Sequence, residues 1–215
     1  IFTLDANAIA SAFDANGKLL WKKDLTPPGE KRGEIFGGGL TLGQDQLFVT
    51  LSYGFVLSLD PRTGEKKWSQ RLSGAGNTVP VFDDGLVYLV SGDSKAWAIS
   101  ANNGRVKWKI DAIGNDTNLI SNNAPATSKK YAVFGFGNGE IYTTFKKGGY
   151  VLWSSSLSGR NDGRVISAID DIVASPVIVG RNVFVADGSG KVVSLKVESG
   201  ERNWTAPFGS SGNLW

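Results

Sequence analysis

Short apolar runs separated by turn-forming residues recur from one end of the chain to the other, and each run has the length of a β-strand. Gly39–Leu42, Gln46–Leu51, Phe55–Leu59 and Lys67–Leu72 form one set. Between them lie Gly43-Gln44-Asp45, Ser52-Tyr53-Gly54 and Asp60-Pro61-Arg62-Thr63-Gly64, where Gly and Asp supply the backbone freedom and side-chain bonding that tight turns need. Four strands joined by three turns predict one antiparallel sheet. The plan repeats with Val79–Val81, Leu86–Val90, Ala96–Ile99 and Val106–Ile110, then around Ala124–Ala126, Tyr131–Phe134, Ile141–Phe145 and Val151–Trp153. A further copy runs Ser175–Val179, Asn182–Ala186, Val192–Leu195 and Arg202–Thr205.

The last strand of each set carries the same signature. Gly-x-x-x-Trp occurs at Gly17/Trp21, Gly64/Trp68, Gly104/Trp108, Gly149/Trp153 and Gly200/Trp204, so successive tryptophans lie 47, 40, 45 and 51 residues apart. That is the period of a four-stranded propeller blade. The predicted fold is all-β, a β-propeller of four-stranded antiparallel blades with about five present, in a single array over 1–215. The blades fall at about 1–25, 35–72, 77–111, 119–157 and 172–206, with the start of a further one over 208–215. The first has only three strands, with no inner strand ahead of Ile1–Leu4. Each tryptophan is expected to fill the wedge between neighbouring sheets, and each Gly to make a hairpin turn.

Composition narrows the chemistry. Twenty-three Lys plus Arg against 20 Asp plus Glu give +3, and the basic residues are scattered in pairs such as Lys22-Lys23 and Lys66-Lys67. The concentrated basic face of a nucleic-acid binder is missing. No apolar run approaches the length that crosses a bilayer as a helix. There is no cysteine and no histidine, which removes thiolate and Ser-His-Asp mechanisms and the usual zinc ligands. Gly37-Gly38-Gly39 and Gly188-Ser189-Gly190-Lys191 are not phosphate loops, because Val192 and a strand follow Lys191 instead of Ser or Thr and a helix. The pairs Asp83-Asp84 and Asp170-Asp171 are read as turn residues.

Asp60-Pro61-Arg62-Thr63-Gly64-Glu65-Lys66-Lys67-Trp68 resembles the repeat signature of propellers related to pyrroloquinoline-quinone (PQQ) dehydrogenases. Two longer stretches, Pro27–Gly39 and Ile169–Ile178, resemble the BamB family of outer-membrane assembly factors, in the manner of its alphaproteobacterial members. The resemblance covers the chain from end to end. Since that family forms eight blades, it implies an internal fragment of an eight-bladed propeller. It implies no cofactor and no catalysis. The expected role is a scaffold at the periplasmic face of the outer membrane, held by an N-terminal lipid anchor not present in this chain. It would bind the periplasmic POTRA domains of BamA and assist nascent outer-membrane proteins, with pairing of unfolded strands against exposed sheet edges as one route.

The resemblance also implies a contact surface. Asp171, beside Asp170, matches a family acidic residue ahead of the Pro-Val strand, whereas Val173 replaces a second one. Leu119 matches a residue of a Leu-rich loop, and Ile120 stands where some members carry Arg, with Arg160 or Arg164 as alternative sources of positive charge. Read from the residues alone, Asp171 equally suits a turn and Leu119 a blade core. The alternative function is a PQQ-dependent quinoprotein dehydrogenase-like enzyme or another propeller interaction module; the adjacent cysteine pair that many such enzymes carry is missing here, and Trp97 is the one tryptophan besides Trp215 outside the repeat signature.

Overall fold

A computed structural model describes residues 1–31, 33, 37–112, 123–156, 172, 174–186 and 190–207. These form five antiparallel sheets, each made from consecutive strands. The first holds β1 (Phe2–Leu4), β2 (Ile9–Phe13) and β3 (Leu19–Asp24). The second holds β4 (Gly38–Gly43), β5 (Gln46–Leu51), β6 (Phe55–Leu59) and β7 (Lys66–Arg71), and the third β8 (Val81–Asp83), β9 (Leu86–Ser91), β10 (Lys95–Ser100) and β11 (Val106–Asp111). The fourth holds β12 (Ala126–Thr127), β13 (Tyr131–Gly135), β14 (Glu140–Phe145) and β15 (Val151–Ser156). The fifth holds β16 (Val177–Val179), β17 (Asn182–Ala186), β18 (Val192–Lys196) and β19 (Arg202–Ala206).

These sheets are propeller blades. β4, β8, β12 and β16 follow one another side by side, and β1, in the blade that has three strands, lies against β4. Burial follows from that stacking. All six residues of β5 are buried, because both faces of a middle strand are covered by neighbouring sheets. The outer strands β7, β11 and β15 instead alternate between half-buried and exposed positions. Among the described residues four apolar cores result, each shared by two consecutive blades; the second and third share Phe48, Val56, Leu72, Val87, Leu89 and Trp97. Inner strands begin just past Pro80, Pro125 and Pro176, as expected for a residue that cannot donate to a strand ladder.

The turns before β7, β11, β15 and β19 share one backbone bonding pattern, and that before β3 is one residue shorter. Ahead of β7, the Asp60 N–H donates to the Glu65 carbonyl at 2.8 Å, the Gly64 N–H donates to the Asp60 carbonyl at 2.8 Å, and the Asp60 carboxylate accepts the Arg62 N–H. A register shift precedes the turn in all five sheets, at Ala12/Phe13, Ser58/Leu59, Ala98/Ile99, Thr143/Thr144 and Ser194/Leu195. The bulge re-aims the outer strand so that its tryptophan points at the next blade.

Candidate interaction surfaces

The repeat signature is a latch between blades. Each indole crosses to the following blade and donates its N–H to a backbone carbonyl beside that blade's turn: Trp21 to Pro61, Trp68 to Ala101, Trp108 to Lys146 and Trp153 to Val197, at 2.7 to 2.9 Å. The glycine of the following turn receives the ring. At Gly149, with φ of +69°, an added Cβ would lie 2.5 Å from Trp108 Cδ2, and the turns at Gly64, Gly104 and Gly200 approach their rings in the same way. Gly17 also has a positive φ, +81°, but no described atom lies within 4 Å of such a Cβ. Trp204, in the fifth blade, is 45% exposed, against 8% for Trp21. Trp21, Trp68, Trp108 and Trp153 therefore fill the wedges as expected, and the glycine has a second duty, accommodating a ring, that a turn assignment alone does not reveal.

The triple glycine is also structural. A Cβ on Gly38 would sit 2.4 Å from the Thr50 carbonyl oxygen of its own blade, and one on Gly39 would sit 2.6 Å from Val79 Cα, so Gly39 lets the chain of the next blade approach. Thr50 Oγ then donates to the Thr78 carbonyl at 2.7 Å, and Thr78 Oγ to that of Val90 at 2.7 Å. Of the first carboxylate pair, Asp84 is a turn residue with φ of +50°. Asp83 is not: it ends β8 and pairs with buried Lys146 across the blade interface, at 2.6 Å. That corrects the turn reading for Asp83, whose partner lies 63 residues away.

A polar cluster closes the surface between the second and third blades. Asp93 accepts from Ser73 Oγ at 2.6 Å, from Ser91 Oγ and from Lys95 Nζ, while the Trp97 indole donates to Ser91 Oγ at 2.8 Å. Burial pushes the Asp93 carboxyl up, but the bonds from Lys95, Ser73 and Ser91 outweigh it and leave the group below the usual carboxylate range. In the core between the third and fourth blades, Tyr88 is fully buried and its hydroxyl has no partner among the described residues. Burial, with the charges of Asp83 and Asp84 adding to it, raises its phenol above the usual range.

The residues singled out for partner binding, Leu119, Ile120, Arg164, Asp170 and Asp171, lie outside the described residues, as do Arg160 and Val173. The chain just beyond those segments is described. Asn123 is buried and its side-chain amide donates to the Ile172 carbonyl, while the Ala124 N–H donates to Ser175 Oγ at 3.0 Å. Ile172 is fully buried against Gly135. Residues 49 and 51 positions apart thus tie the chain after 113–122 to the chain after 157–171. The sequence reading missed Asn123 and Ser175 as anchors. The available signal was a polar residue two positions before an inner-strand proline, which Asn123 shares with Thr78.

Blades, latches and loop anchors define a propeller, and comparison with known proteins decides which family it represents. The family model described as outer membrane protein assembly factor BamB matches residues 6–215. The chain belongs to the BamB family. The outer membrane protein assembly factor BamB of Moranella endobia is 25% identical over 219 residues, covering all of this chain and 56% of the relative. BamB relatives are thus matched over little more than half their length. The crystal structure of BamB from Moraxella catarrhalis superimposes with a TM-score of 0.82 at 17% identity, covering 99% of this chain and 63% of that one. A europium-containing methanol dehydrogenase shares the fold at a TM-score of 0.78 and 13% identity, over 96% of this chain and 49% of that one. At that identity the second likeness speaks for the propeller alone.

Proposed function

We propose that the chain is the larger part of a non-enzymatic scaffold that assists assembly of outer-membrane β-barrels from the periplasmic face of that membrane. On this reading it supplies five blades, over about 1–25, 35–72, 77–111, 119–157 and 172–206, to an eight-bladed propeller, with a further blade beginning near 208. The match to 63% of the Moraxella BamB chain fits that proportion. An N-terminal lipid outside this chain would hold the protein at the membrane.

The partner surface would be formed by 113–122 and 157–171, with Leu119, Ile120, Arg164, Asp170 and Asp171 contacting the POTRA domains of BamA. One observation carries this reading. Asn123–Ala124 and Ile172–Ser175 are bonded to each other, so two segments far apart in sequence share an anchored base on a rigid array. Binding residues are commonly carried on segments next to such fixed points of a folded scaffold. Nascent chains would be the second class of partner, engaged through exposed sheet edges.

The experiment is a pull-down of the purified protein with BamA POTRA domains, repeated with Asp171→Arg and Leu119→Ala. Loss of capture with an unchanged melting temperature is expected for Asp171→Arg. Full capture by both variants would refute the assignment of the surface to these segments.

A further inference from the structure

Corresponding positions in the blades show an unequal filling of the gaps between sheets. In the third blade, Trp97 on β10 points back at the second and packs with Val56 and Leu72; it is cross-strand to Lys109, whose ammonium lies 5.8 Å from its ring centroid. In the fourth, Tyr142 on β14 takes the same place, packed with Val90, Ala96 and Ala98 and cross-strand to Ser154. In the second blade the place belongs to Leu57, cross-strand to Ser69. Val193 occupies it in β18, where the chain that follows β15, 157–171, lies outside the described residues.

The gap left by Leu57 is open. A cavity of about 490 Å³ lies between the first and second blades, with Leu51, Phe55, Leu57 and Leu59 on one side and the segment from Lys23 to Pro28 on the other. That volume is within the range of ligand sites, which run from about 300 to 1,000 Å³. The second blade contributes the apolar side chains Leu51, Phe55, Leu57 and Leu59, with Ser69 beside them. The charged rim balances Lys23 and Lys66 against Asp24 and Glu65, which suits an occupant without net charge. Thr26 lines the cavity, and its buried hydroxyl has no partner among the described residues. In the filled gap next door a hydroxyl does that work for an indole: Ser91 Oγ accepts the Trp97 N–H.

We propose that this cavity binds an aromatic side chain, indole or phenol, carried on an extended polypeptide. The protein itself shows which chemistry fits, because Trp97 and Tyr142 fill the two corresponding gaps. The polypeptide is indicated by what borders the cavity. β3 is the last strand of the first sheet, so its outer edge has no neighbouring strand in that sheet and can take one laid beside it, and Lys23 and Asp24 at the end of β3 line the cavity. The choice of a polypeptide occupant rests on the scaffold reading; the aromatic preference rests on the cavity alone.

The test uses the full-length protein and the peptide acetyl-Ser-Thr-Trp-Thr-Ser-amide with 5-fluorotryptophan, followed by fluorine NMR. Saturable broadening is expected, and the same peptide with Ala for Trp is expected not to compete. Leu57→Trp fills the gap as Trp97 does and should weaken binding at least tenfold. Ser69→Lys, a change on an outer strand that copies Lys109, should weaken it less, and serves if the first variant does not fold. Undiminished binding in the variants, or equal competition by the Ala peptide, overturns the site. Equal affinity for free N-acetyl-tryptophanamide overturns the polypeptide occupant. Capture by POTRA domains should be untouched by Leu57→Trp. Failure of those domains to capture the wild-type protein, with peptide binding intact, would refute the scaffold reading and leave the cavity's aromatic preference standing.

Discussion

If the repeat glycine holds a ring as well as a turn, Gly149→Ala must cost far more than Gly17→Ala. Their φ angles are +69° and +81°, so each substitution forces an alanine into the left-handed region at about 1–2 kcal/mol. In the 215-residue chain no described atom lies within 4 Å of the new methyl at Gly17, so in that chain the cost is that of the backbone. At Gly149 the methyl would stand 2.5 to 2.8 Å from three atoms of the Trp108 ring, which must move. Overpacking of this kind costs about 1–3 kcal/mol, and a displaced ring also loses its 2.9 Å bond to the Lys146 carbonyl, worth about 1 kcal/mol. The excess at Gly149 is therefore about 3 kcal/mol. For a domain of this size that lowers the melting temperature by about 6–12 °C beyond the Gly17→Ala value. Thermal melts followed by far-ultraviolet circular dichroism read the difference, and a double-mutant cycle with Trp108→Ala should abolish the excess. Equal losses for the two glycines, or an excess that survives removal of the ring, would refute the latch.

Three further outcomes rest on the same geometry. Trp68→Ala should destabilise by about 3 kcal/mol in a urea titration, the low end for an aromatic truncated to Ala, because the half-buried ring packs on the core of the second and third blades and bonds the Ala101 carbonyl at 2.8 Å. Tyr88→Phe removes a buried hydroxyl that has no partner among the described residues, so its melting temperature should equal or exceed that of the parent. Asp93 is held below its ordinary range when folded, so its stabilisation is complete above about pH 4 and is lost as pH falls through the folded value. The parent should consequently lose melting temperature in acid more steeply than Asp93→Asn, and parallel curves would contradict the cluster.

The array was legible in the sequence because one rule, Gly-x-x-x-Trp, recurs at nearly constant spacing and because strand and turn residues alternate around it. What the rule touches was not legible. That Trp108 meets Gly149 and Lys146 is a relation between modules, visible only once the bulge at Ala98/Ile99 has aimed the outer strand outward. Asp83 illustrates the same limit: beside Asp84 it reads as half of a turn, and only the stacking of two blades brings Lys146 to it. The candidate partner residues came from family resemblance at Asp171 and Leu119, while the bonds joining Asn123 to Ile172 and Ala124 to Ser175 arise from folding across 49 and 51 residues.

The indole latches run in one direction only, each from a blade to the one that follows it. Their acceptors lie 40, 33, 38 and 44 residues downstream, so every latch closes a loop of about one module. The entropy of closing such loops grows only slowly with length, and none of these four latches waits for a distant part of the chain. A polypeptide delivered amino end first can thus secure each sheet as soon as the next one arrives. Folding in that order leaves, among these four indoles, only that of the sheet formed last unfastened.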